Sequence, residues 1–298
     1  YLIIFAMSFL KLKNILKKNN PDYVIIHLIT SLPILLFNLF NFKTKCILRI
    51  SGYPHLNFLR MFFWKNFLNK VDMITCPTIS TYNYIKQLNI ISDEKLFFLP
   101  DPVINIKEIN QLKREKVKIE FKEYFIGIGR LTKQKNFEFL INAFKEIVKI
   151  SPQKKLLIFG NGEERDKLNK KIIKMSLQDK VKIFPYNDNI FPYLKNAECF
   201  ILSSLWEDPG FVLLESSFCK TLIISSDCKN GPEEILKKNN AGIIYKTSKL
   251  MDFIKKYHLY LSLNIDEINK IKRNALLSSR TFTIFNHYLK LNEMLKLR

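Results

Sequence analysis

Cys199-Phe200-Ile201-Leu202-Ser203-Ser204 runs into Leu205-Trp206-Glu207-Asp208-Pro209-Gly210 and then into Phe211-Val212-Leu213-Leu214-Glu215-Ser216-Ser217-Phe218. The first run is short and apolar and reads as a buried strand. Pro209-Gly210 marks a tight turn, and the last run has helical periodicity. Strand, turn and helix in that order are one step of a parallel α/β sheet. The same step sets Glu207 in the loop at a strand's carboxyl end and Glu215 one to two turns into the next helix. Between them lie the free N–H groups of a helix N-terminus, where phosphate binds well. A phosphate cradle with a carboxylate on each side suits a nucleotide-sugar, one acid for ribose hydroxyls and the other for sugar hydroxyls.

Working outward, the alternation continues almost throughout. Strands are expected at 23–28, 45–50, 72–76 and 96–99, with helices at 33–41, 56–69 and 78–88. Further strands are expected at 123–128, 155–159, 181–184, 198–203, 221–225 and 242–245. Helices at about 136–150, 163–175, 211–219, 231–239, 248–262, 265–279 and 284–296 fill the gaps. Pro100-Asp101-Pro102 and the charged segment 105–122 read as a linker, which puts a domain boundary near 103–120. The chain opens on Tyr1 within a helix-like pattern, and the expectation is a chain lacking its first strand–helix units.

The 298 residues are 47% hydrophobic, with 25 phenylalanines, which excludes a disordered protein and allows two cores. The formal charge of +21 attracts anions: nucleic acid, acidic headgroups or phosphorylated substrates. Lysine, asparagine, isoleucine and phenylalanine are all abundant, so an AT-rich coding sequence explains the same excess. A basic nucleic-acid-binding α/β protein therefore stands as a rival reading, and a fragment that binds a nucleotide-sugar without turning it over as another. The five cysteines have no metal spacing and fall in apolar runs, as buried thiols in a reducing cytosol would. Residues 23–42 carry no Asp, Glu, Lys or Arg, yet polar interruptions and Pro33 favour a strand and a helix over a membrane span.

Only eight glycines occur, and most sit at strand–helix junctions, the side on which open α/β sheets bind ligands. In Gly127-Ile128-Gly129-Arg130-Leu131-Thr132-Lys133-Gln134-Lys135-Asn136, Arg130 and Lys135 are placed to reach a diphosphate. An ordinary βα turn with exposed bases reads equally well. In Leu156-Leu157-Ile158-Phe159-Gly160-Asn161-Gly162-Glu163-Glu164-Arg165, the glycines allow close approach of a nucleoside, while the acids suit the helix dipole. Glu207 reads alternatively as a solvated loop acid and Glu215 as a water-facing helix residue. Its neighbours Val212, Leu213, Leu214 and Phe218 argue for partial burial, and a buried acid needs a partner. Gly231-Pro232-Glu233-Glu234 reads as helix capping beside the same crevice. His27 and His55 follow strands and are open to a structural or a ligand-facing role. No D-x-D or His pair suggests a metal, and no P-loop or nucleophile elbow is present. Lysines and aromatics at 58–67 fall on helical spacing, as a basic amphipathic face would.

Taken together these motifs resemble the retaining GT-B glycosyltransferases of glycosyltransferase family 4. The ordered matches are Gly129-Arg130-Leu131 with Lys135-Asn136, Gly160-Asn161-Gly162-Glu163, Glu207 to Glu215, and Gly231-Pro232-Glu233. The resemblance covers about 123–245 strongly and 21–100 loosely. It implies two Rossmann-like doubly wound parallel-sheet domains facing across a cleft, the first incomplete. The corresponding division is 1–110 for a partial acceptor-side domain and 111–280 for the nucleotide-sugar domain. The helix at 281–298 would pack back on the first. It implies donor contacts from Gly129, Arg130, Lys135, Gly160, Gly162, Glu207, Gly210, Phe211, Val212 and Glu215. Arg130 and Lys135 would hold the diphosphate, Glu207 the donor sugar and Glu215 the ribose, with Glu207 also catalytic. It implies metal-independent, cofactor-free transfer with retention from a UDP-, GDP- or other NDP-sugar. The acceptor would be a glycan or lipid carrier in surface polysaccharide or lipopolysaccharide synthesis. The setting would be the cytoplasm or the inner face of an acidic membrane, with no nucleic acid partner. Three departures stand out. Members usually carry a Gly-rich loop after their first strand, and this chain shows none, as expected of a chain that starts too late. Many members carry a His where this chain has Ser51-Gly52, leaving His55 as a nearby catalytic stand-in. The turn is Glu207-Asp208-Pro209-Gly210 where E-G-F-G is common.

Overall fold

The structure is a computed structural model that describes residues 2–27, 31–50, 52, 54, 56–117, 121 and 123–296. Its contacts divide the chain into two units, Tyr1–Pro100 with Lys290–Arg298, and Asp101–Leu289.

In the first unit, helix α1 (Leu2–Asn19) precedes β1 (Tyr23–His27), α2 (Ser31–Leu39), β2 (Lys45–Arg49), α3 (Phe58–Phe67), β3 (Met73–Cys76), α4 (Ile79–Gln87) and β4 (Leu96–Phe98). The four strands are parallel and lie in chain order. The apolar stretch 23–42 thus contains β1 and α2, with Pro33 in the first turn of α2, where its missing N–H costs nothing. No helix among the described residues is long and apolar enough to cross a membrane. Leu48, Trp64, Ile74 and Ile85 are fully buried in one core. A second cluster joins Ile47, Met73 and Leu99 to Met294 from the chain's last helix. Asn57 caps α3 by accepting from the Arg60 N–H, and within that helix only Trp64 is buried. Phe58, Leu59 and Phe62 stay exposed.

The second unit runs α5 (Ile106–Leu112), β5 (Tyr124–Ile128), α6 (Phe137–Ile150), β6 (Lys155–Phe159), α7 (Arg165–Lys174), β7 (Val181–Phe184), α8 (Phe191–Asn196), β8 (Cys199–Leu202), α9 (Phe211–Phe218), β9 (Leu222–Ser226), β10 (Ile243–Tyr245), α10 (Leu250–Ser262) and α11 (Ile265–Ser279). A further helix, α12 (Ile284–Lys296), carries the chain out of this unit. All six strands are parallel, in the order β10-β9-β8-β5-β6-β7. The sheet is apolar on both faces because alternate residues of each strand point opposite ways. Tyr124, Ile126, Leu157, Phe159, Phe200 and Leu202 enter one core, and Phe125, Leu156, Ile158, Cys199 and Ile201 the other.

The segment read as a linker contains α5. Its Asn105 cap accepts from the Glu108 N–H, Ile109 is buried in the core and Leu112 packs against it, so these two apolar residues hold the helix down. The helix expected at 231–239 is a short π-helical turn, Glu233–Lys237. Gly231 explains the late start. A Cβ there would lie 2.2 Å from the Pro209 carbonyl oxygen, so the backbone is packed against the loop after β8 before the helix begins.

Candidate active site

In the second unit the strand order runs one way from β5 through β6 to β7 and the other way from β8 to β10. The connections leaving β5 and β8 therefore diverge at the carboxyl ends of adjacent strands, which opens a crevice. A cavity of about 760 Å³ lies there. Ile128, Gly129, Phe159 and Gly160 form its base. Arg130, Gln134 and Lys135 come from the loop after β5, and Trp206 to Gly210 from the loop after β8. Phe211, Val212 and Glu215 of α9 complete that side, and Tyr186, Asn187 and Asp188 face it.

The two loops are clasped together. Leu205 N–H donates to the Gln134 carbonyl at 2.8 Å, and Gln134 Nε2 to the Trp206 carbonyl at 2.9 Å. Ser203 Oγ donates to the Lys135 carbonyl at 2.7 Å. The result fixes Lys135 Nζ 2.6 Å from Glu207 Oε1. Both side chains are largely buried, 14% and 4% exposed, so each charge depends on the other. Ser204 Oγ also donates to Glu207 Oε1. Glu207 Oε2 meets no hydrogen-bond partner among the described residues. Behind the loop, Glu207 N–H donates to the Lys229 carbonyl at 3.1 Å, and Asn230 Nδ2 to Asp208 Oδ1 at 3.1 Å. The motif read only as capping thus braces the Glu207 loop.

Gly210 caps α9 with φ of +93°, a left-handed conformation that disfavours a side chain. Leu213 N–H and Leu214 N–H donate to the Gly210 carbonyl, while those of Phe211 and Val212 find no acceptor among the described residues. These two groups lie on the cavity wall, where the helix end is positive. Glu215, one turn further on, is half-buried and has no hydrogen-bond or ion-pair partner among the described residues. Burial pushes its carboxyl up to about 6. The expectation that a buried acid needs a partner is not met among the described residues.

Of the expected site residues, Gly129, Arg130, Lys135, Gly160, Glu207, Gly210, Phe211, Val212 and Glu215 line this one cavity. Lys135 lines the cavity and also bonds Glu207, because the clasp brings the two loops within reach. Gly162 does not line the cavity. A Cβ there would lie 2.4 Å from the Leu131 carbonyl oxygen, so this glycine permits backbone packing, not ligand approach. Gly160 does both, since its Cβ would lie 1.9 Å from the Gly129 carbonyl oxygen. His55 lies outside the described residues. Sequence reading did not single out Gln134, Ser204 or Trp206. Ser204 ends the apolar run that precedes Glu207, which was the available signal. Tyr186 and Trp206 are 67% and 51% exposed on the rim, flat surfaces for a stacked ring. Among the described residues no group of His, Cys, Asp and Glu converges as a metal site would.

The profile of the family described as glycosyl transferases group 1 matches residues 108–277, more than half of the chain. An uncharacterized glycosyltransferase of Methanocaldococcus jannaschii is 32% identical over 246 residues, covering 76% of this chain and 60% of that protein. The N-acetylgalactosamine-N,N'-diacetylbacillosaminyl-diphospho-undecaprenol 4-alpha-N-acetylgalactosaminyltransferase of Campylobacter jejuni is 25% identical over 235 residues, with the same 76% and 60% coverage. The chain thus spans about 60% of the length of both relatives. Among solved structures, HepE of Anabaena in complex with UDP superposes with a TM-score of 0.78 at 14% identity, over 97% of this chain and 82% of that one. A glycosyltransferase from Rickettsia africae superposes with a TM-score of 0.77 at 16% identity, over 99% and 81%. At such identities the likeness fixes the fold, which is GT-B.

Proposed function

The chain belongs to the glycosyl transferases group 1 family, and on that premise we propose that it transfers a sugar from a nucleotide-diphosphate donor bound in the cavity between β5 and β8. The observation that carries this reading is Glu215. A carboxylate held half-buried without a partner, beside two free helix N–H groups, is an acceptor awaiting hydroxyl donors. Ribose hydroxyls fit that need. The diphosphate would then lie at the Phe211 and Val212 N–H groups with the Arg130 guanidinium beside it. Charge that develops on the leaving diphosphate would meet these fixed donors without reorganisation. Glu207 Oε2, open beside Gly210, would accept from the donor sugar, with Lys135 and Ser204 fixing the carboxylate through its other oxygen. We place the chain in glycosyltransferase family 4 and assign transfer with retention at the anomeric carbon. A glycan or lipid-linked acceptor is supported by the Campylobacter relative, whose name includes a diphospho-undecaprenol carrier. Contact with an acidic membrane is supported by α3, where Arg60 and Lys65 stand among exposed Phe58, Leu59 and Phe62.

The test is a thermal-shift panel of UDP, GDP and their sugars on the purified chain. A ligand at 100 times its Kd adds about 2.7 kcal/mol of stability, an easily measured rise. Glu215→Ala is expected to remove the rise. A full panel that leaves the melting curve of the parent protein unmoved would end the donor assignment. For an active donor–acceptor pair, the anomeric proton coupling of the product reads retention directly.

A further inference from the structure

The second unit pairs many of its cations: Lys135 with Glu207, Lys154 with Glu123 and Glu198, and Lys171 with Glu138. One region does the opposite. Two adjoining pockets of about 520 and 450 Å³ share Lys220, Leu276 and Arg280 in their walls. Lys113, Arg114 and Lys195 line the first, and Lys272 and Arg273 the second. Among the described residues no acidic one lines either pocket. Of the nearby acids in sequence, Glu108 bonds Asn105, Glu115 bonds Asn189, Glu267 lies in a capping box, and Glu215 lines the β5–β8 cavity instead. None of the seven cations makes an ion pair or side-chain hydrogen bond among the described residues.

Four elements far apart in the chain build this concentration. Lys113 directly follows α5, Lys195 lies on α8, Lys220 follows α9, and Lys272 and Arg273 lie on α11. Helix packing on one face of the sheet therefore brings like charges together, against their mutual repulsion. The Phe218 ring lies 4.7 Å from Lys113 Nζ and holds it over the first pocket. Burial lowers the proton affinity of Lys113, and Lys195 and Lys220 press the same way against an opposing pull from Cys219. Each pocket is large enough for a small molecule.

We propose that these two contiguous basic pockets, bordered by α5, α8, α9 and α11, bind a phosphate-bearing anion at a site separate from the β5–β8 cavity. The two sites have no lining residue in common. On α9 the two linings are one turn apart, Glu215 in the cavity and Phe218 in the first basic pocket, about 4.5 Å along the helix axis. A diphosphate or phosphomonoester would supply the missing counter-charge and accept from several Lys and Arg donors at once. The anion is either soluble or carried on a lipid headgroup, and this proposal does not depend on the donor assignment.

The experiment uses the full chain in two arms. In the first, inorganic pyrophosphate is titrated calorimetrically into the parent protein, Lys220→Gln/Arg280→Gln, and a control with exposed lysines removed elsewhere, Lys238→Gln/Lys255→Gln. In the second, the same proteins are sedimented with phosphatidylcholine vesicles with and without phosphatidic acid. The pocket variant is expected to bind about tenfold more weakly in at least one arm, and the control to stay within about twofold. Loss with pyrophosphate alone assigns a soluble ligand, and loss with phosphatidic acid alone a headgroup. Equal affinity of pocket variant and parent in both arms, or an equal fall in the control, overturns the proposal. The substituted side chains are exposed, and matching melting curves verify that the variants fold.

Discussion

Replacing Glu215 by glutamine is expected to make the protein more stable and less able to bind. Burial lifts the Glu215 carboxyl from the ordinary 4.5 to about 6, with no partner to offset the loss of solvation. In the unfolded chain the group ionises near its ordinary value. Between pH 4.5 and 6 the folded protein therefore holds a proton that the unfolded chain has released, so stability falls as pH rises through this window. Below 4.5 both states are protonated and there is no penalty; above 6 the penalty is complete. At ~1.36 kcal/mol per pH unit, the interval from 4.5 to about 6 amounts to about 2 kcal/mol at neutral pH. Glu215→Gln keeps the shape and removes the charge. Its melting temperature at pH 7.5 should rise by roughly 4–8 °C, and the gap from the parent should close as pH falls to 4.5. The same variant should bind UDP about 10- to 100-fold more weakly, the effect of losing a charged hydrogen-bond acceptor. Melting scans from pH 4.5 to 8, with and without UDP, read both effects. A variant no more stable than its parent at pH 7.5 would refute the burial argument. A pH-independent gain would refute its assignment to ionisation.

Two further outcomes follow from the same geometry. Lys135→Ala leaves the Glu207 carboxylate, with its side chain only 4% exposed, without its cation, and should cost about 3–5 kcal/mol in urea unfolding. Adding Glu207→Gln should restore much of that loss; two additive penalties would show that the ion pair does not form. All five cysteines are buried, and desolvation pushes the Cys46, Cys219 and Cys228 thiols up to about 12 and Cys199 upward too. Ellman's reagent at pH 8 should label the native protein slowly and all five thiols in denaturant, and rapid native labelling would contradict this burial.

The local elements were legible because each carries its own signal. Apolar runs such as Leu156–Phe159 alternate between two buried faces, and Gly210 marks a turn that needs a positive φ. The charged segment after Asp101 did not reveal α5 because only Ile109, buried, and Leu112, partly buried, tie that helix to the core, too small a signal to shift a mean polarity. Pairings across long separations were not legible at all. Lys135 and Glu207 are 72 positions apart, and their contact depends on β8 lying beside β5. Periodicity gives each strand but not its neighbour. Gly162 shows the same limit from the other side: a glycine spaced like a ligand-binding one serves instead to admit the Leu131 carbonyl. The strand order also explains why the motifs converge. With β8 inserted next to β5, the loops carrying Arg130 and Lys135 and those carrying Glu207 and Gly210 must open side by side. Any other order would separate them by at least a strand, ~4.8 Å per position. Glu215 alone needed no such knowledge. Its place on α9, four positions after Phe211, follows from helix geometry, which is why the residue that carries the functional proposal was also the most legible in sequence.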